Sequence, residues 1–167
     1  WCDWSSDVCS SDLAGRARDE LVSMIDIVPT VLAAAGVNVP AELEGRSLMP
    51  LLGRDPTSWR EFLFTEMNFH QANQFSPQRT VRDDRYKLVL NLAPQGDQAA
   101  VELFDLRQDP EEARNLAGDP PLASTRRRLE AALRQWREQT GDPLADPARL
   151  ERWKKVADEW KKSAPRL

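Results

Sequence analysis

The sequence predicts an α+β fold, and three observations carry that prediction. Strand-like stretches cluster between Glu61 and Asp105, as period-two alternations or short apolar runs bounded by turn residues. A short apolar helical stretch, VPTVLAAAG (Val28–Gly36), precedes them. Two amphipathic helical stretches follow them, one from Leu122 and one from Asp146. Strands in one block with helices on either side point to an α+β domain rather than to alternating βαβ units. At 167 residues the chain is long enough to bury a core of its own.

Residues 1–13, WCDWSSDVCSSDL, stand apart: they are rich in Ser and Asp, echo themselves, and hold both cysteines, Cys2 and Cys9. Asp3 to Leu13 looks like the translation of a common sequencing-adapter oligonucleotide. Residues 1–13 are therefore expected to be disordered and foreign to the fold, with the protein proper starting at Ala14. LVSMIDI (Leu21–Ile27) then reads as a buried strand. Val28-Pro29-Thr30 opens a helix, with the proline in the first turn where its missing N–H costs nothing. Gly36 is suited to cap it in the left-handed conformation. A short helix that is apolar on nearly every side calls for a large body to pack against, so an N-terminal domain is expected upstream of Ala14. Val37 to Glu44 is a linker, and Ser47 and Gly53 bracket a short helix over Leu48–Leu52 as N-cap and stop.

EFLFTEM (Glu61–Met67) is the first strand of the block, and the amide-rich NFHQANQFSPQ (Asn68–Gln78) reads as a long irregular loop. RTVRD and YKLVLNL form a hairpin around Asp83-Asp84, since Tyr86, Leu88 and Leu90 alternate with Lys87, Val89 and Asn91. VELFDLR (Val101–Arg107) is the next strand. Asp109-Pro110-Glu111-Glu112 marks a helix start that Asn115 ends after one turn. In that segment Asp105 and Asn115 are expected to bond backbone groups rather than do chemistry. Leu122 to Thr140 is an amphipathic helix with Leu122, Leu129, Leu133 and Trp136 on one stripe, stopped by Gly141. From Asp146-Pro147 a second helix spaces Leu150, Trp153, Ala157 and Trp160 for packing, the alternative being a helix that lies on a membrane surface.

Composition excludes several classes. The net charge is −4, from 27 acidic and 23 basic residues, so no broad basic field exists for nucleic acid to be the main partner. Arg126–Arg128, Lys154/Lys155 and Lys161/Lys162 each have acids nearby in sequence. No apolar run approaches the roughly 20 residues of a spanning helix. Two neighbouring cysteines and a single histidine, His70, are too few for a disulfide framework or a zinc site.

The landmarks SMIDIVPTVLAAAGV, EGRSLMPLL, RTVRDDRYKLVLNL and ELFDLRQDPEEARNLA, in that order, resemble the C-terminal part of sulfatases of the alkaline-phosphatase-like superfamily. The resemblance covers Ala14 to about Asp142. It rests most on the tandem of D-x-x-P-T-x-L-x-x-x-G (Asp26–Gly36) and L-[FY]-D-L-x-x-D-P-x-E-x-x-N-L (Leu103–Leu116). The series Glu66, His70, Pro77, Arg79, Arg82 is similar to the heparan N-sulfatase (sulfamidase) group. The resemblance implies that residues 14–53 are the tail of a large α/β domain. It makes 54–142 a small domain, a four-stranded antiparallel sheet beside a helix, and leaves 143–167 as a C-terminal amphipathic helix. It implies hydrolysis of sulfate esters or sulfamates of carbohydrates, an N-sulfoglucosamine among them, in a periplasmic or secreted setting.

Such chemistry needs a strong nucleophile, neutralisation of the sulfate oxygens and an acid for the leaving group. The family supplies a formylglycine from a C/S-x-P/A-x-R motif and a calcium held by Asp/Asn oxygens. Neither Cys2 nor Cys9, nor Ser47, Ser58 or Ser76, sits in that motif, and no Asp-Asp pair ends an apolar strand. No catalytic residue or metal ligand is therefore expected in this chain, which should be inactive alone, its partner being the missing N-terminal domain. Three substrate-binding candidates remain: His70 in its polar loop, and Arg79 and Arg82, whose guanidinium groups suit sulfate or uronate. Each has a plainer alternative, His70 as a surface or structural residue and the arginines as strand residues paired with Asp83 or Glu66. The competing functions are a non-catalytic α+β binding module and another alkaline-phosphatase-like hydrolase such as a phosphodiesterase.

Overall fold

A computed structural model describes residues 17–52, 58–70 and 74–163, with the backbone alone for His70, Gln74 and residues 161–163. The expectations for residues 1–13, including both cysteines, and for Gly53 as a helix stop lie outside the described residues. Two compact units are present, one ending at Glu61 and one beginning at Phe62.

The N-terminal unit is tied around one carboxylate. LVSMIDI is not a strand: Ser23 N donates to Asp26 Oδ2 at 2.7 Å, which bends the chain into a 3-10 turn over Met24–Asp26. That turn runs into helix α1, Ile27–Ala34. The apolar run misleads because its only polar residues, Ser23 and Asp26, bond each other across a turn, which a strand would forbid. Asp26, fully buried, also accepts from Arg46 N at 2.8 Å and from both Arg60 Nη atoms at 2.9 and 2.7 Å. Thr30 Oγ1 donates to Asp26 O and accepts from Leu48 N, bringing the second 3-10 turn, Met49–Leu52, beside α1. Gly45 passes so close to Ile25 that a Cβ there would lie 2.0 Å from its carbonyl oxygen, so only glycine fits. Gly36 ends the α1 region at φ +70, as expected.

The C-terminal unit is a sheet with helices on it. Strands β1 (Leu63–His70), β2 (Gln74–Arg82), β3 (Tyr86–Asn91) and β4 (Val101–Asp105) form a four-stranded antiparallel meander in sequence order. The registers place Phe64 opposite Val81, Val81 opposite Leu88, and Leu88 opposite Leu103. Helix α2 (Ala123–Gln139) lays Leu129 and Leu133 on Val81, Leu88 and Leu103, and these five side chains are the buried core. Trp136 stacks on Phe64 at 5.2 Å and 2°. Helix α3 (Pro147–Ser163) follows a 3-10 turn at Pro143–Ala145. It closes a second cluster of Phe75, Leu144 and Ala157, with Leu92 and Leu150 against it.

Two readings of this unit need correction. Asn68–Gln78 is not a long loop: β1 runs on to His70 and β2 starts at Gln74. Within β2 the buried residues are Phe75, Pro77, Arg79 and Val81, every second position, an alternation hidden because Pro77 reads as a strand breaker and Arg79 is charged. Pro77 is tolerated in an inner strand because it lies at the end of the β2–β3 ladder, where Leu92 N donates to its carbonyl at 2.9 Å just past the last residue of β3. The second correction is at Asp109. It caps a turn rather than a helix, accepting from Ala113 N and Arg114 N, while Glu112 sits at φ +56.

Candidate functional site

Because β2 alternates, Arg79 points into the interior at the level of Pro77 and Val81, and it is 0% exposed. Its charge is met by Asp142, just past the end of α2, through Nε–Oδ2 at 2.9 Å and Nη2–Oδ1 at 2.8 Å. This is a two-pronged pair of the kind guanidinium favours. Arg137 Nε joins the same carboxylate at 2.6 Å and Leu144 N donates to it at 3.0 Å. Burial alone would raise the Asp142 pKa. The bonds from Arg79, Arg137 and Leu144 more than reverse that and bring it to about 2.

The remaining nitrogen of Arg79, Nη1, donates to Asn68 Oδ1 at 3.0 Å and Gln78 O at 2.9 Å. Asn68 lies at the β1 irregularity, two residues before His70. Arg79 thus has no surface with which to meet a ligand, and the expectation that it contacts substrate is corrected: it braces the end of β1 from behind. Its main partner is also neither Asp83 nor Glu66, since Glu66 is mostly exposed and 3.6 Å away. Asp142 was missed because its only local signal, Gly141-Asp142-Pro143, reads as a helix stop, and its partner is 63 residues away in sequence.

The other two candidates do not share a site. His70 pairs with Gln74 at the tip of the β1–β2 hairpin, whereas Arg82 pairs with Leu63 at its base. Seven residues of strand separate the two levels, a distance of roughly 23 Å at ~3.3 Å per residue. Arg82 lies on the sheet face opposite α2 and lines a cleft of about 400 Å³ with Thr65, Thr80, Lys87 and Glu112. Lys87 and Glu112 neutralise each other at 2.7 Å. Among the described residues Arg82 has no carboxylate partner, its one bond being a long 3.4 Å contact to Asp83 O.

The tip is aromatic. Phe69, Phe75 and Trp153 gather there, and a small cavity of about 80 Å³ lies between them, Asn68, Pro143 and Leu144. Phe69 and Trp153 were also missed, the first as part of a supposed loop and the second as part of a packing stripe.

The acids of the sheet are structural. Asp83 Oδ1 accepts from Arg85 N at 2.8 Å and Tyr86 N at 2.6 Å, and its other oxygen meets Arg128. Asp105 binds Arg85 at 2.7 Å and the N–H of Arg107 at 3.1 Å. The Arg85 guanidinium, against the effect of burial, holds the Asp105 carboxyl below the usual range. Asn115 accepts from Leu103 N and Ala117 N, as expected. With these carboxylates taken, no group of three or more His, Cys, Asp or Glu among the described residues is placed to hold a metal ion. The described donors do not fit a calcium site.

Comparison with known proteins agrees with this architecture. Residues 10–139 match the family described as N-sulphoglucosamine sulphohydrolase, C-terminal. The chain is 33% identical to the multifunctional alkaline phosphatase superfamily protein PehA of Trinickia caryophylli, over 74% of this chain and 26% of that one. It is 27% identical to human N-sulphoglucosamine sulphohydrolase, over 77% of this chain and 34% of the human protein. A protein solved in complex with its substrate D-glucosamine-2-N,6-O-disulfate superposes with a TM-score of 0.61 and 28% identity, over 70% of this chain and 24% of its own length. The chain therefore spans about a quarter to a third of the proteins it matches. With a meander sheet under one long helix, and that match across most of its length, the chain belongs to the N-sulphoglucosamine sulphohydrolase C-terminal family.

Proposed function

We propose that this chain is the C-terminal part of a hydrolase that cleaves sulfate esters or sulfamates of carbohydrates. The observation that carries the reading is the family match over residues 10–139. It is supported by the sulfated glucosamine substrate named for one structural relative. An N-sulfated glucosamine is the finer assignment, supported by the human relative. The nucleophile, a formylglycine, and the calcium belong in this reading to the rest of the longer protein, and the chain alone is inactive. Here its residues bind and position. His70, at the hairpin tip, is the substrate contact. The Arg79–Asp142 pair fixes the strand end that carries it. Arg82, roughly 23 Å away along the hairpin, meets only a separate anionic group of an extended substrate.

The test is sulfate release from N-sulfoglucosamine and from 6-O-sulfated glucosamine. It compares the 167-residue chain with a longer gene product that contains a C/S-x-P/A-x-R motif. Release is expected only from the longer product. Turnover by the chain alone, or none by the longer product, overturns the reading. Phosphate and phosphonate esters belong in the same assay, because PehA is a multifunctional member of the alkaline phosphatase superfamily. Preference for them would favour a phosphodiester- or phosphonate-cleaving enzyme instead. The non-catalytic α+β module is favoured if the chain by itself is a soluble, cooperatively melting monomer and no longer product cleaves either ester class.

A further inference from the structure

Helix α3, Pro147–Ser163, lies wholly beyond the residues matched by the family, yet it packs against the strand end next to His70. We propose that α3 is a glycan-docking wall, on which Trp153 and Phe69 hold the face of a sugar ring while Arg149 and Arg152 meet its sulfate or carboxylate groups. The inference rests on the sulfated-carbohydrate reading given above and adds to it a site on an element outside the family match.

The first support is the form of the aromatic ledge. Phe75 is buried and lies nearly parallel to Trp153 at 6.2 Å and 18°, so it backs one face of the indole. Phe69 meets Trp153 nearly edge-on at 6.1 Å and 72°. Trp153 remains 42% exposed and Phe69 37% exposed. A rigid indole, supported behind and open in front, suits the apolar C–H face of a pyranose, because it offers flat contact area at little cost in side-chain freedom.

Charge gives the second support. The chain as a whole carries −4, but α3 has six basic and three acidic residues, a local +3. Arg149 is one turn before Trp153, at the i,i+4 spacing that puts two side chains on one face. Both Arg149 and Arg152 are exposed, and the Arg149 contact with Asp146 is a loose 3.9 Å. A ledge of one open ring flanked by guanidinium groups complements a polyanionic sugar. A membrane surface fits less well. Leu150 and Ala157, the aliphatic part of the stripe, are already used in packing against Phe75 and Leu144, which leaves Trp153 and Trp160 as its exposed members, a narrow face to enter a bilayer.

The experiment titrates the full 167-residue chain with a heparin-derived tetrasaccharide and with its chemically desulfated counterpart. Trp153→Ala is expected to weaken binding of both by about 3- to 10-fold, the usual range for one aromatic contact. Trp153→Tyr should keep most of the affinity, and matching far-UV circular dichroism and melting curves show whether each variant is folded. Arg149→Ala with Arg152→Ala should weaken the sulfated ligand only and flatten its salt dependence. Unchanged binding in folded Trp153→Ala, or no glycan binding at all, overturns the proposal. So does Trp153-dependent binding to phosphatidylserine vesicles in place of glycan. If the ledge binds the desulfated sugar by way of Trp153 and the longer gene product releases no sulfate, the ledge stands and the sulfatase reading fails.

Discussion

The two units differ in the balance of apolar and polar burial. In the C-terminal unit apolar side chains are inside: Val81, Leu88, Leu103, Leu129 and Leu133 form a core under α2. In the N-terminal unit the best-buried side chains include a carboxylate, Asp26, while Met24 is 79% and Val31 61% exposed. Apolar burial gives a unit its free energy, at about 25 cal/mol per Å². A polar knot chiefly selects one conformation among several, because the charges it buries lose hydration nearly equal to what they gain. The C-terminal unit uses both devices, since Arg79 and Asp142 form a buried ion pair between its two apolar clusters. Among the described residues, the N-terminal unit has the knot without a comparable core. The contrast predicts that damage to the C-terminal unit changes global stability, whereas damage to the knot changes local order.

The largest effect is expected from Asp142→Ala. It leaves Arg79 buried without a counter-charge and should cost about 3–5 kcal/mol in denaturant unfolding of the chain. A cost below about 1 kcal/mol would mean that Arg79 reaches water some other way. Leu133→Ala removes a side chain that is almost wholly buried in the α2 interface and should cost about 2–5 kcal/mol by the same measurement. If instead it were silent, the apolar half of the comparison would be lost.

Acid comes next in size. The folded Asp142 pKa, about 2, lies below its ordinary 3.8. Its contribution is therefore fully present above about pH 4 and is lost as the pH falls through 2. The loss amounts to about 2 kcal/mol, since a tenfold change in an acid constant is worth roughly 1.4 kcal/mol. The carboxyls of Asp26, Asp83 and Asp105 are lowered too and act in the same direction. Melting temperature should fall between pH 4 and pH 2, and Asp142→Asn should flatten that slope.

Asp26→Asn is expected to cost only about 1–2 kcal/mol, because Arg60 is partly exposed and can turn to water. Its signature is faster amide exchange at Ser23 and Arg46 with the main unfolding transition unmoved. A shift of the main transition as large as that of Leu133→Ala would break the distinction between the units. The smallest effect, within about 0.5 kcal/mol, belongs to Arg107→Ala, which removes an exposed ion pair with Asp84.

Much of the C-terminal unit is legible in its sequence. The hairpin around Asp83-Asp84, the alternation from Tyr86 to Asn91, the α2 stripe and the backbone-capping roles of Asp105 and Asn115 all follow from short-range rules, and the structure has them. Local chemistry is enough there, because each signal and its effect lie within one turn or one strand. The candidate site is only partly legible. His70 and Arg82 stand out by residue type, and nothing in their spacing tells that they stand at opposite ends of one hairpin.

What the sequence determined by itself was therefore periodicity, caps and turns. Those fix which segments are strands and helices wherever the pattern is apolar. The tertiary structure alone decided the segments whose pattern is carried by polar residues. Leu21–Ile27 has the composition of a strand, but Asp26 meets the Ser23 N–H and the distant Arg60 and folds it into a turn. Asn68–Gln78 has the composition of a loop because it is rich in amides, and the inward alternation that starts at Phe75 continues through Pro77 to a charged Arg79. An arginine can occupy an interior position only when a carboxylate is delivered to it. That carboxylate, Asp142, arrives only after α2 has crossed the sheet, and no local rule can foresee an ion pair that the completed fold creates.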